Sequence, residues 1–536
     1  AKLVEIWQEV LGMDRIGITD DFFAIGGHSL KAISLVARIY KAFQVSLPLK
    51  EIFAHPTIQE LSQSIKRAKR GKLQQLQPVT RRKYYPVTFA QKRIYVLHGF
   101  KNIKSSYNMP FVFRIQGDLN PKQLQRAFAK LLDRHDVLRA SFHFVKGELV
   151  QKIHQRVPFQ LMQLEVQDHN LEQIIQSFIQ PFDLSQAPLI RAAYVRLSAE
   201  DYILLFDMHH IISDEISLQI LFHELTELYQ DHSLPPLPIQ YQDYAVWQQQ
   251  LMKNGDLKEQ EAFWLAQFQQ EIPITNLPID FPRPAVQQFQ GSLYTFRLPM
   301  ALTEQCQRFS KQQNVTLHML LFATYFVMLM KLTGQEDHIV GTPVSGRNQV
   351  ELEKLIGLFV NTLPIRSQPC RNETFLQFLA KVKEKLLKAY EHADYPLEEL
   401  VEKLDVQRDL SRNPLFDTLF VMQNMDQSNW DFPGATVEPY PFAWQAAKFD
   451  LTWTVVENET LVFTIEYNTA LFKRATIARM ASYYQSILTQ LIEKPQQRLA
   501  EVKLITEEEK QQLLSLNPSA SQYPQEQTVL SLFAQQ

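Results

Sequence analysis

Residues 202–214 read YILLFDMHHIISD. Six of the seven residues in 202–208 are apolar. That run is too short for a buried helix and suits a strand covered on both faces. It ends in two histidines. Successive side chains on a strand point to opposite faces, so only one of His209 and His210 can easily face a cavity. His210 and Asp214 stand four apart, a spacing that on a helix stacks them on one face. The residues alone leave three readings open: a packed histidine pair, a metal site with no specified third ligand, and a catalytic histidine.

Working outward, strand and helix signals alternate. Residues 190–197 form a second strand across the turn at 198–201, and 109–116 a third. Asn120 followed by Pro121 is a helix start, with Leu124, Ala127, Phe128, Leu131 and Leu132 on one face. Residues 138–144 and 149–154 flank Lys146–Gly147 as a hairpin. From about residue 270 a similar pattern restarts. Strands are expected at 292–298, 338–343 and 415–423, helices at 303–313 and 475–492, and a hairpin turn at Asn458–Glu459. The apolar run 319–330 is far short of the ~20 residues that cross a bilayer and reads as a buried core helix. The expectation is two α/β (α+β) lobes, 84–268 and 269–505.

Upstream, residues 66–83 (KRAKRGKLQQLQPVTRRK) hold eight basic residues and no acidic ones. They read as a solvated linker, because no aromatics interleave with the charges to stack on bases. With 69–83 as linker, residues 1–68 form a separate unit. Leu3, Ile6, Trp7, Val10 and Leu11 recur at helical spacing, as do Leu30, Ile33, Val36, Ala37 and Tyr40, then Ile58, Leu61 and Ile65. The reading is a small all-α bundle of three or four helices. A 15-residue linker reaches ~50 Å at most, so this unit is expected to visit several positions over one side of the lobes. Residues 506–536 read as a connector toward a further domain, and the chain as a fragment of a longer one.

Composition narrows the function classes. The chain of 536 residues is 45% hydrophobic, with a net charge of −2. It is not globally disordered, and the balance argues against whole-chain capture of nucleic acid or anionic membrane. Two cysteines, Cys306 and Cys370, exclude a disulfide scaffold and suit a reducing cytoplasm. Glycine numbers only 15, which leaves little room for a Gly-rich phosphate-binding fold.

Residues 20–30 read DDFFAIGGHSL. Ser29 stands at a helix start after two glycines, where free N–H groups and the helix dipole favour a phosphate; the bland alternative is an N-cap serine. The string resembles the attachment site of peptidyl carrier proteins, as do Ile52–Phe53 and His55–Pro56–Thr57. The resemblance implies a 4′-phosphopantetheine arm on Ser29.

HHIISD resembles the HHxxxD core of nonribosomal peptide synthetase condensation domains, which share a two-lobed chloramphenicol-acetyltransferase-like fold. Residues 88–97 (TFAQKRIYVL), 134–139 (RHDVLR), 241–247 (YQDYAVW), 356–366 (IGLFVNTLPIR), 392–400 (HADYPLEEL) and 408–416 (RDLSRNPLF) resemble the family's other motifs, in order. The resemblance implies a carrier–condensation pair that joins a donor acyl thioester to an acceptor aminoacyl thioester. His210 would be the key catalytic residue, with His209 and Asp214. Asp214 is expected to orient the loop by pairing with an arginine, Arg347 first and Arg139 second; Asn361 is a further support. The acceptor would arrive on a downstream carrier. Upstream and downstream adenylation domains and a phosphopantetheinyl transferase are the other implied partners, with no nucleic acid, no membrane, no metal, and a monomeric chain. Asn361–Thr362–Leu363 and Ile216 look like the type joining two L-residues. Ester formation, epimerisation and a non-catalytic docking scaffold are the alternatives. One departure stands out: Glu215 follows the aspartate where the family usually has glycine, so the local turn is expected to be shifted or an oxyanion-binding N–H displaced.

Overall fold

The computed structural model describes residues 1–45, 47–68, 76–99, 105–165, 170–406, 409–423, 430, 432–442, 446–505, 507–516 and 528–535. Residues 69–75 of the linker, Arg408 of the last motif and the polar stretch 517–527 lie outside the described residues.

The first unit has four helices, α1 (Lys2–Leu11), α2 (Ser29–Phe43), α3 (Leu49–Ala54) and α4 (Ile58–Arg67). Their apolar stripes close one core in which Trp7, Phe22, Leu35, Ile39, Ile52 and Leu61 are buried. The Trp7 and Phe22 rings meet edge to face at 5.0 Å, a favoured aromatic geometry.

The first lobe runs β1 (Tyr85–Pro86), α5 (Phe89–His98), β2 (Asn108–Gly117), α6 (Pro121–Arg134), β3 (Ala140–Val145), β4 (Glu148–Ile153), β5 (Leu161–Leu164), α7 (Leu171–Phe178), β6 (Ile190–Arg196), β7 (Asp201–His209), α8 (Glu215–Tyr229), α9 (Tyr241–Asn254) and α10 (Lys258–Gln267). The second runs β8 (Gly291–Arg297), α11 (Met300–Gln312), α12 (Leu317–Thr333), β9 (His338–Val344), β10 (Asn361–Ser367), α13 (Phe375–Glu391), α14 (Leu397–Lys403), β11 (Thr418–Gln423), β12 (Ala435–Pro439), β13 (Leu451–Glu457), β14 (Leu461–Asn468) and α15 (Arg474–Glu493). Two further helices follow, α16 (Glu507–Ser515) and α17 (Val529–Gln535). The lobes hold a five-stranded sheet, β12-β2-β7-β6-β5, and a six-stranded sheet, β10-β9-β11-β13-β14-β8; β1, β4 and β3 make a smaller third.

The two lobes are not separated by one cut at 268/269. β12, from the second half of the chain, crosses over and pairs antiparallel with β2, Val437 opposite Ile115. The linker is also not wholly solvated. Leu76 is buried, and the Val79 N–H donates to Asp243 at the start of α9, at 3.0 Å. A short side chain at that N-terminus holds the linker's second half.

α12 is buried along nearly its whole length, as its apolar run requires. No single helix among the described residues is long and apolar enough to cross a membrane.

Candidate functional site at the lobe junction

β7 lies centrally in its sheet between β2 and β6 and delivers its last residues to the lobe junction. His209 is wholly buried there. Its Nδ1 accepts the Ile211 N–H at 3.1 Å, so its proton sits on Nε2. Burial, with the charges of His98, His210, Lys448 and Arg191, pushes its pKa well down, which makes it a neutral packing group. His210 is only partly buried by surface.

The chain then turns rather than continuing as a helix. Residues His210–Ile212 form one 3₁₀ turn, and Asp214 is extended, at φ −128° and ψ −177°. The expected stacking of His210 and Asp214 on one helical face therefore does not occur. Instead the His210 ring bonds within its own turn, Nδ1 to the Ser213 carbonyl at 2.6 Å. A carbonyl only accepts, so Nδ1 carries the proton and Nε2 keeps a lone pair. The His210 backbone N–H is held by the Tyr107 carbonyl at 2.8 Å. Burial, then the Lys448 charge, lowers the His210 pKa to about 4. The imidazole is thus neutral and ready to accept at neutral pH.

Asp214 is buried and turned into the protein. It caps α8 through the Ser217 N–H at 2.8 Å and accepts the Ser217 hydroxyl at 2.7 Å. Its other oxygen accepts the Phe359 N–H at 3.0 Å. Arg347 pairs with it at 3.0 Å, both side chains about 95% buried. The same guanidinium donates to the carbonyls of Leu352 and Leu355 and lies 4.1 Å from the Phe359 ring centroid. Arg139, the second candidate, is elsewhere. It pairs with Asp136 and donates to the carbonyls of Leu132, His154 and Gln155, which ties α6 to the β3–β4 hairpin.

The 88–97 and 356–366 motifs reach this loop directly, and others pack behind it. Gln91 donates to the Ile211 carbonyl at 3.1 Å, and Tyr241 bridges the Leu358 carbonyl at 2.6 Å and the Thr88 hydroxyl at 3.0 Å. Arg134 and His135 both meet the buried Glu224 of α8, at 2.9 and 2.7 Å. Asn361 donates to the Ala393 and Tyr395 carbonyls, joining the start of β10 to the loop before α14. Glu215 needs no unusual turn. It is the first residue of α8, where an acid complements the helix dipole, and its carboxylate accepts from Gln423 of β11. The φ of Glu215 is not positive. Burial raises the Glu215 pKa even though the residue is exposed by surface.

In the first unit, Ser29 is the first residue of α2 and the N-cap is His28, whose ring accepts the Lys31 N–H. The Ser29 side chain lies outside the described residues. Gly26 has φ +99°, and a Cβ on Gly27 would stand 2.3 Å from the Phe22 ring, so the turn before α2 requires both glycines. Asp21 holds the preceding loop by accepting the Phe23 and Ala24 N–H groups. This loop sits on the second lobe. Gly26, Gly27 and His28 line one side of a cavity of about 350 Å³; His318, Thr342, Pro343 and Tyr390 line the other. Ser34 and Arg38 bond Glu353 at 2.7 and 2.6 Å, Lys41 pairs with Glu351 at 2.7 Å, and Phe53 packs near Leu387 and Tyr390. A phosphopantetheine arm is compatible with this placement: the two glycines and His28 that precede the N-terminus of α2 line a cavity between the two units.

The chain matches the family described as "Condensation domain" over residues 81–514 and that described as "Phosphopantetheine attachment site" over 1–65. It therefore belongs to the condensation-domain family, preceded by a phosphopantetheine-attachment unit, the arrangement found in nonribosomal peptide synthetases, enzymes that form amide bonds. Among similar proteins, gramicidin S synthase 2 of Brevibacillus brevis is 45% identical over the whole chain, which spans 12% of that protein. Tyrocidine synthase 3 of Brevibacillus parabrevis is 44% identical, also over the whole chain and 8% of its own length. The chain thus spans about an eighth or less of these relatives. Among solved structures, the X-domain from teicoplanin biosynthesis superposes with a TM-score of 0.75 at 24% identity, covering 81% of this chain and all of that one. A four-domain nonribosomal peptide synthetase bound to AMP and glycine gives 0.76 at 23%, covering 87% and 37%. These two likenesses concern the fold.

Proposed function

We propose that this chain forms the amide bond between a donor acyl group carried on Ser29 and an acceptor aminoacyl thioester, both of L configuration. The observation that carries the reading is His210: neutral, fixed by its Nδ1–H to Ser213 and by its backbone to Tyr107, with an Nε2 lone pair left at the lobe junction. When bound, the phosphopantetheine arm supplies a thiol that carries the donor acyl group as a thioester. Gly26, Gly27 and His28, just before the proposed attachment residue, line the cavity, and the Glu353 and Glu351 contacts hold the carrier against the second lobe. His210 then works at one atom. Nε2 accepts a hydrogen bond from the incoming amine and orients its lone pair toward the thioester carbonyl; as the C–N bond forms and the C–S bond breaks, the amine proton passes by way of Nε2 to the departing thiolate. An α-amino group has an ordinary pKa near 8. A useful fraction is therefore already unprotonated near neutrality, and orientation contributes as much as proton removal. Asp214, Arg347, Arg139 and Asn361 hold the loop and the lobes and touch no reactant.

The acceptor is proposed to arrive on a downstream carrier, with adenylation domains on either side loading the two carriers in the cytoplasm and a phosphopantetheinyl transferase modifying Ser29. The test is intact mass after incubation with coenzyme A and such a transferase, followed by donor loading and supply of an acceptor aminoacyl thioester. Modification confined to Ser29 and appearance of the amide product support the reading. Modification elsewhere refutes the carrier assignment, and a loaded chain that forms no amide refutes the enzymatic one. Preference for an alcohol acceptor would instead reveal ester formation.

A further inference from the structure

Lys448 belongs to none of the motifs, yet the structure brings it to the site. Its backbone is fixed on three sides. The carbonyl accepts from Gln287 at 3.2 Å and Asn413 at 3.4 Å, and the N–H donates to Glu466 of β14 at 3.4 Å. From this base on the second lobe the ammonium reaches the first lobe and stands 5.1 Å from the centroid of the Tyr107 ring, a cation–π contact. Tyr107 is the residue whose carbonyl holds the His210 backbone, and its ring lies 6.5 Å from that of His209. One lysine from the far lobe thus rests on the residue that places the histidine.

We infer that Lys448 is a positioning residue for the transfer step: reaching across from the second lobe, its ammonium lodges on the ring of Tyr107, the residue whose carbonyl fixes His210, and so keeps a cation on that side of the imidazole. The inference rests on the proposed role of His210. Its sign follows from electrostatics: a nearby cation disfavours protonation of an imidazole. The groups that act on His210 are Lys448 from the segment before β13, Arg93 from α5 and Asp214 before α8. Burial is the largest cause of its lowered proton affinity, Lys448 the largest charge, and Arg93 adds to it; Asp214 and the Ser213 carbonyl oppose them. Lys448 is itself buried, which lowers its own pKa, with Glu466 opposing and Arg93 adding to that shift. Arg93 is engaged by Glu398 at 3.1 Å, which leaves Lys448 the less compensated of the two on the His210 side.

The experiment uses the full chain and two readouts. The first is the pH profile of transfer from donor-loaded chain to a soluble aminoacyl thioester, for wild type, Lys448→Met and Lys448→Arg. The second is the titration of His210 in the unloaded chain, followed by NMR with labelled histidine and assigned with His210→Gln. Lys448→Met is expected to move the acid limb and the His210 titration to higher pH. A one-unit rise from about 4 would halve the neutral fraction near pH 5, about twofold, and the loss would shrink as pH rises. Lys448→Arg keeps the charge and should follow wild type. If Lys448→Met lowers the melting temperature, Lys448→Gln, which retains a long stem, replaces it in both readouts. An unchanged titration in the neutral variants, or an arginine variant that shifts as far as methionine does, overturns the inference. If wild type transfers nothing while the titration still responds to Lys448, the proposed function fails and the electrostatic assignment stands.

Discussion

Removing the Asp214 carboxylate should cost stability before it costs chemistry. Asp214→Ala leaves the Arg347 guanidinium about 95% buried with no counter-charge, an arrangement that typically costs 3–5 kcal/mol. The variant also loses the α8 cap, about 1 kcal/mol on its own, and orphans the Phe359 N–H. These losses share one side chain and do not simply add; about 4 kcal/mol is the working figure. At roughly 2 °C per kcal/mol for a unit of this size, the condensation lobes should melt about 8 °C lower. Differential scanning fluorimetry reads this directly. The carrier has its own core, so phosphopantetheinylation of Ser29 in the same variant should be unaffected and serves as the internal control. A variant that melts with wild type yet transfers nothing would refute the reasoning and put Asp214 in the chemistry.

Four other outcomes are expected. Arg139→Ala should destabilise the first lobe by about 3 kcal/mol, since the guanidinium donates to the carbonyls of Leu132, His154 and Gln155; a melting temperature unchanged from wild type would contradict this. Glu353→Arg should loosen the carrier from the second lobe with little loss of stability, because the Arg38–Glu353 pair is partly exposed and worth at most about 1 kcal/mol; crosslinking between α2 and the 350–354 turn should fall, and its persistence would argue against an ion-pair seat. His210 and His318 both titrate at about 4 in the folded chain. Between that value and the ordinary 6.5 the unfolded chain binds more protons, so stability should fall as pH drops through this window; equal urea midpoints at pH 7.5 and 5 would speak against it. Gly27→Ala should disturb the turn before α2, because its Cβ would meet the Phe22 ring, and slow modification of Ser29; wild-type modification kinetics would show that the loop yields freely.

Much of the fold was legible because its signals are local. The Asn120–Pro121 start, the apolar face of α6, the Lys146–Gly147 hairpin and the buried α12 each follow from a few neighbouring residues. β12 was not, because its five residues carry no strong strand pattern and their place is set by β2, more than 300 positions away. β10 was quoted as a motif but not placed as a strand; its register on β9 is a tertiary fact. The choice of Arg347 over Arg139 for Asp214 was legible as a preference only. Spacing could not show that Arg139 is already committed to backbone carbonyls. At Glu215 the departure from glycine raises the question of a displaced turn, and the structure shows only that the residue opens α8 directly after its cap. Lys448 gave no signal, because its partner Tyr107 lies in the other lobe.

The central claim is that His210 orients and deprotonates the acceptor amine while the surrounding motifs only hold it in place. Single-turnover amide formation with donor-loaded wild type and donor-loaded His210→Ala, matched in Ser29 modification and melting temperature, tests it most directly. The account predicts loss of transfer in the variant with both controls unchanged. Transfer at the wild-type rate by a folded, fully loaded His210→Ala chain would contradict it.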